Sequence, residues 1–144
     1  MTDRSFPLNL SLDYQHGSGL LTDYFSALQT GRARASRCLK CGDVRIPPRF
    51  VCPGDGESTE AIELAGTGSV AAATNTDSML PFAEQASSHV FVLVAMDGAD
   101  NLMFGRMSQP EDVTDVGDRV CLAGAQGTTA HPAEASVFKK LDEK

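Results

Sequence analysis

The sequence is poor in the residues that often mark binding and catalytic sites. It has no tryptophan, two tyrosines and three histidines among 144 residues. No apolar run approaches the ~20 residues that a membrane-spanning helix needs, and the first ten residues lack the apolar stretch of a secretory signal. We therefore expect a cytoplasmic protein.

Positive charge is also scarce, with 12 lysine and arginine residues against 19 aspartate and glutamate residues and a net charge of −7. A chain with this balance has no long-range attraction for nucleic acids or anionic membranes. Nucleic-acid binding is thus a minor alternative, even though Phe91, Phe104 and Phe138 fall on predicted strands.

Sequence motifs of common enzyme classes are missing as well. The chain has no G-x-S-x-G elbow, no P-loop and no G-x-G-x-x-G before a helix. His89 opens a predicted strand and His131 precedes a proline in a loop, so neither position favours a general base. A stand-alone enzyme remains an alternative, but it is not the leading interpretation.

What the sequence does contain is a pair of cysteine turns. Cys38 and Cys41 are separated by two residues and followed by Gly42, and Cys52 begins a second turn that ends in Asp55 where a four-cysteine site has its last thiol. This spacing is typical of a zinc ribbon, and a carboxylate oxygen is an acceptable zinc ligand. We predict a closed, structural zinc site formed by Cys38, Cys41, Cys52 and Asp55.

Two alternatives to this site stay open. His16 could supply a ligand from a distance, or the ribbon could have lost its metal and be held by its prolines and its packing. The fourth cysteine, Cys121, lies in an apolar strand-like run and is predicted to be a buried core thiol.

Half of the basic residues cluster around the cysteines. They could form a solvated face that compensates the thiolates, or they could contact an anion or a partner. The cluster consists of Arg32, Arg34, Arg37, Lys40, Arg45 and Arg49.

The remaining pattern predicts one short helix and a small β-barrel. Apolar residues fall at helical spacing from Leu20 to about Gly31. About five short strands with glycine at the corners follow the ribbon, which favours a closed OB-like barrel. We predict a lead-in with a helix over 1–36, a zinc ribbon over 37–58 and a barrel over 59–144.

These motifs resemble a known family, the acyl-CoA-associated zinc-ribbon/OB-fold proteins of unknown function that accompany thiolases, thiolase-like acyltransferases and MaoC-type hydratases. The likeness rests on the cysteine turns with Pro47-Pro48-Arg49, and it continues in order through the barrel. The resemblance implies a mainly β fold with an N-terminal helix, a rubredoxin-like ribbon and a C-terminal five-stranded OB barrel. Asp55 departs from the pattern of the family.

The resemblance also implies a function. It suggests a non-catalytic subunit in a hetero-oligomer, docked on a thiolase-like or hydratase enzyme and able to receive its acyl-CoA. In this scheme the CoA phosphates or an acidic partner would meet Arg32, Arg34, Arg37 and Arg49.

Overall fold

The computed structural model describes residues 5–12, 14–80, 83–111, 114–124 and 132–141. Its strands form two sheets: a three-stranded sheet in the order β2-β1-β3, and a closed barrel in the order β4-β5-β6-β8-β7. The elements are α1 (Thr22–Gln29), β1 (Ala33–Cys38), β2 (Val44–Arg45), β3 (Thr59–Leu64), β4 (Thr67–Ser78), β5 (Ser87–Met96), β6 (Leu102–Met107), β7 (Arg119–Leu122), α2 (Pro132–Ala135) and β8 (Val137–Lys140).

The helix α1 packs on the core, as its periodicity predicts. A 3-10 turn over Gly19–Leu21 precedes it, and Gly31 follows its end with φ of +71°, a conformation that favours glycine. Tyr24 and Leu28 are buried, whereas Leu20 is 78% exposed. Most of the predicted apolar stripe is therefore core, and only its first residue is left for another chain.

The ribbon is supported by the three-stranded sheet. Both neighbours of β1 are antiparallel to it, with Arg37 opposite Val44 on β2 and opposite Glu60 on β3. The sheet runs from Ala33 to Leu64 and so includes residues on both sides of the predicted 37–58 ribbon. The division of the chain into domains at those limits stays a prediction.

The five-stranded barrel confirms the predicted fold class. The pairs β4–β5, β5–β6, β4–β7 and β7–β8 are antiparallel, and β6 and β8 are parallel. Alternate residues of β5 point inward, among them Val90, Val92 and Val94, and they pack around Phe138 of β8. Phe138 is fully buried, so it cannot stack on a ligand. Cys121, predicted to be a buried core thiol, is only partly buried on β7, because its neighbours in sequence are the ones that face inward.

The ribbon is fixed to the barrel by the turn between β5 and β6. The Val44 N–H donates to the Asp100 carboxylate at 2.8 Å, and the Asp100 N–H donates to the Val44 carbonyl at 2.8 Å. The Asn101 side chain accepts from the Ile46 N–H at 3.0 Å and donates to the Ile46 carbonyl at 2.8 Å. Ile46 is fully buried, so these bonds satisfy backbone groups that water cannot reach.

Within the described ranges, none of the helices has the length and apolar character that would let it cross a membrane.

Candidate metal centre

The two cysteine turns have the same backbone conformation. The Gly42 N–H donates to the Cys38 carbonyl at 3.0 Å, and the Gly56 N–H donates to the Cys52 carbonyl at 3.0 Å. Gly42 and Gly56 have φ of +81° and +73°, which glycine adopts at low cost. Asp55 thus occupies the place in the second turn that Cys41 occupies in the first.

A second bond in each turn completes the equivalence. The Cys38 N–H donates to the Asp43 carbonyl at 2.9 Å, and the Cys52 N–H donates to the Glu57 carbonyl at 2.8 Å. The role of Gly56 was missed at the level of sequence, although its spacing from Cys52 equals that of Gly42 from Cys38.

The four predicted ligand atoms converge. The sulfur atoms of Cys38, Cys41 and Cys52 and a carboxylate oxygen of Asp55 all lie within 4.8 Å of one another. The Cys41 and Cys52 sulfurs are 3.6 Å apart, and the Cys38 sulfur is 3.6 Å from each Asp55 oxygen. Zinc–sulfur bonds of ~2.3 Å in a tetrahedron place two sulfurs about 3.8 Å apart. The cluster is therefore compatible with a metal site, and His16 is not part of it.

The surroundings of the cluster favour negative charge at two of its members. The Cys41 N–H donates to the Cys38 thiolate and lowers its pKa, and the Glu57 N–H, 3.1 Å from an Asp55 oxygen, lowers the pKa of that carboxyl. The Asp43 N–H would lower the pKa of Cys41, but the adjacent Cys38 and Cys52 thiols raise it to about 12. Three thiolates and a carboxylate repel one another at this distance, and a divalent cation removes that repulsion.

Three of the four predicted phosphate-binding arginines have carboxylate partners. Arg32 contacts Glu63 at 3.3 Å, Arg34 contacts Asp23 at 3.5 Å and Arg37 contacts Glu60 at 2.6 Å. The fourth behaves differently. The Arg49 N–H donates to Ser36, and its exposed guanidinium has no ion pair with any described carboxylate.

The outer face of β5 and β6 is an exposed apolar surface. The rings of Phe91 and Phe104 stack with centroids 5.5 Å apart, and Phe104 is 61% exposed. Beside them, Leu93 and Ala72 help to line a shallow depression of about 250 Å³. In OB folds this face of the second and third barrel strands, here β5 and β6, commonly binds ligands. We call the surface formed by Phe91, Leu93 and Phe104 the β5–β6 face.

Comparisons with known proteins identify solved structures that have a similar fold. No protein-family model matches the chain, and no curated protein matches it. A chain of the Ltp2-ChsH2(DUF35) aldolase has a similar structure, with a TM-score of 0.60 and 23% sequence identity over 83% of this chain and 93% of that one. A protein of unknown function from the DUF35 family of Sulfolobus solfataricus is similar with a TM-score of 0.59 and 16% identity over 82% of each chain. The chain therefore has the fold of the DUF35 proteins.

Proposed function

We propose that this chain is a non-catalytic accessory subunit that docks on a thiolase-like or MaoC-type enzyme and supports its action on acyl-CoA. The observation that carries the proposal is the shared fold with a DUF35 chain named as part of an Ltp2-ChsH2 aldolase. The exposed β5–β6 face offers a surface for such a partner.

In the proposed subunit, zinc is a structural ion held by Cys38, Cys41, Cys52 and Asp55. These residues supply four ligands, the full number for tetrahedral zinc, and leave no open position for a substrate. The ion would fix the two turns, which lie at one end of the sheet that carries the arginines. Free thiols in such a site fit a reducing compartment, so we also propose a cytoplasmic location.

Docking predicts a partner that co-purifies with the chain. We expect a tagged copy purified from the source cell to retain a thiolase-fold or hydratase subunit in equal amount. The Phe104→Glu variant should lose this subunit, because docking would have to desolvate the new charge on the β5–β6 face. Val116→Glu is the matched control, since Val116 is also exposed, at 72%, but lies outside that face. Recovery of the chain alone, or a partner enzyme that is fully active and stable without it, would refute the proposal.

The proposed acyl-CoA contact depends most on Arg49. The ion pairs of Arg32, Arg34 and Arg37 are surface pairs of the kind that contribute ~0–1 kcal/mol, so a phosphate could replace their carboxylates. Arg49 has no such carboxylate partner among the described residues.

We expect Arg49→Ala to weaken the binding of CoA to the complex by about tenfold, the loss of one charge-assisted bond of ~1.5 kcal/mol. Titration calorimetry measures this, with Lys139→Ala on the barrel as the matched control. Equal affinity of the two variants for CoA would show that Arg49 does not contact the ligand.

A further inference from the structure

The N-terminal arm, which we define as residues 5–12, has the sequence pattern of a half-buried strand, but its apolar side chains are exposed. Its apolar residues alternate strictly with proline and polar residues, a period of two that is typical of a strand with one covered face. Residues 6–12 make no hydrogen bond to any described residue. The apolar side chains are 78% to 86% exposed and are those of Phe6, Leu8, Leu10 and Leu12.

The barrel has the complementary feature, an open sheet edge. On one side β4 pairs with β5 along most of its length, but on the other side it pairs with β7 only over Thr67 to Ser69. Beyond Val70, whose N–H and carbonyl bond to Asp118 and Gly117, that side has no partner among the described residues. Residues 71–77 are all exposed.

Apart from a register shift between Val70 and Ala72, residues 71–76 lack the side chains that usually protect an edge strand. Natural edge strands are shielded by charged side chains, prolines or covering loops, because an open edge pairs with other chains. Residues 71–76 contain neither charge nor proline, and their side chains are small. The edge also adjoins the β5–β6 face, because Ala72 is opposite Leu93 and Thr74 is opposite Phe91.

We propose that the N-terminal arm of one copy of this chain pairs as an added strand with the open β4 edge of a second copy, and that the exchange is reciprocal. Among the described residues of one copy the arm does not pair with the β4 edge, and a two-fold pair of copies satisfies both features at once. Residues 6–12 and 71–76 are similar in length and both uncharged, so the contact itself places no like charges against each other. This inference does not rest on the proposed function.

Solution mass tests the proposal on the full zinc-loaded chain, with any tag placed at the C-terminus so that the arm stays unmodified. We expect light scattering to show a dimer at micromolar concentration, and removal of residues 1–12 to give a monomer. Hydrogen exchange should locate the contact. Amides of residues 71–78 should exchange at least about tenfold faster after the arm is removed, while those of the buried strand β5 keep their protection.

A matched pair of variants tests the alternation itself. Leu8→Asp with Leu10→Asp places two charges on the apolar side of the arm and should give a monomer. Asn9→Asp with Ser11→Asp adds the same charge on the other side and should leave the dimer intact. Both pairs lie in exposed residues, so neither disturbs the core.

Three outcomes would overturn the inference. The first is a monomer at all concentrations. The second is a dimer that survives loss of the arm, which would mean that another surface joins the copies. The third is a protein that is monomeric and whose β4-edge amides nevertheless exchange faster after the arm is removed. That result would mean that the arm pairs within its own chain.

Discussion

Replacing Cys52 with alanine should abolish zinc binding and lower the melting temperature by about 10 °C. Cys52 is buried and belongs to the four-atom cluster, so its loss leaves three ligands and a site open to water. A metal present at a thousandfold over its Kd stabilises the folded state by ~4 kcal/mol. For a chain of this size, each kcal/mol shifts the melting temperature by ~2–4 °C. Elemental analysis and thermal denaturation measure the two effects.

Cys121→Ala is the matched control, because Cys121 is a thiol outside the cluster, on β7. It should retain one zinc per chain. Asp55→Cys should bind zinc more tightly than the natural chain, since a thiolate is a softer ligand for this borderline ion than a carboxylate. A Cys52→Ala variant with full zinc content and unchanged melting temperature would show that the ribbon is held by packing alone.

Replacing Gly105 with alanine should destabilise the barrel by about 3 kcal/mol, at the upper end of the range for overpacked cores. An added Cβ would lie 2.6 Å from the Phe138 ring and 2.6 Å from the Ser136 carbonyl oxygen. The ring is fully buried at the centre of the core, and Ser136 precedes β8, whose backbone pairs with β6 beside Gly105. Neither neighbour can move without disturbing the closure of the barrel. Urea denaturation measures the change in the free energy of unfolding.

Gly17→Ala is the control for this substitution, because an added Cβ there meets no atom within 4 Å. It should leave stability within about 0.5 kcal/mol of the natural value. Combining Gly105→Ala with Phe138→Leu should cost less than the sum of the two single changes, since the smaller side chain makes room. Strict additivity would contradict the assigned contact.

The sequence alone was sufficient to predict the cluster of metal ligands and the barrel. Both turns are local, so the spacing of Cys38 and Cys41 and of Cys52 and Asp55 defines each half of the site without knowledge of distant contacts. The barrel strands are rich in β-branched and aromatic residues and are separated by turn residues, as β5 is from β6, and both signals are local. The equal spacing of Gly42 from Cys38 and of Gly56 from Cys52 already indicates that the turns are equivalent, and the hydrogen bonds of the two glycines show it directly.

The surroundings of the arginines could not be predicted in the same way. Arg37 and Glu60 are 23 residues apart, and they meet because β3 pairs with β1 in one particular register. The strand β1 is short, and its own residues, Ala33 to Cys38, do not indicate which strand pairs with it. A cluster of positive charge in the sequence therefore became a set of ion pairs in the fold, with Arg49 as the one member of the cluster that pairs with no described carboxylate.

X-ray absorption at the zinc edge of the purified protein measures whether the site is closed by three thiolates and one carboxylate. We expect about three sulfur neighbours at ~2.3 Å and one oxygen neighbour at ~2.0–2.2 Å. Four sulfur neighbours, a nitrogen neighbour from histidine, or protein purified without bound metal would contradict it.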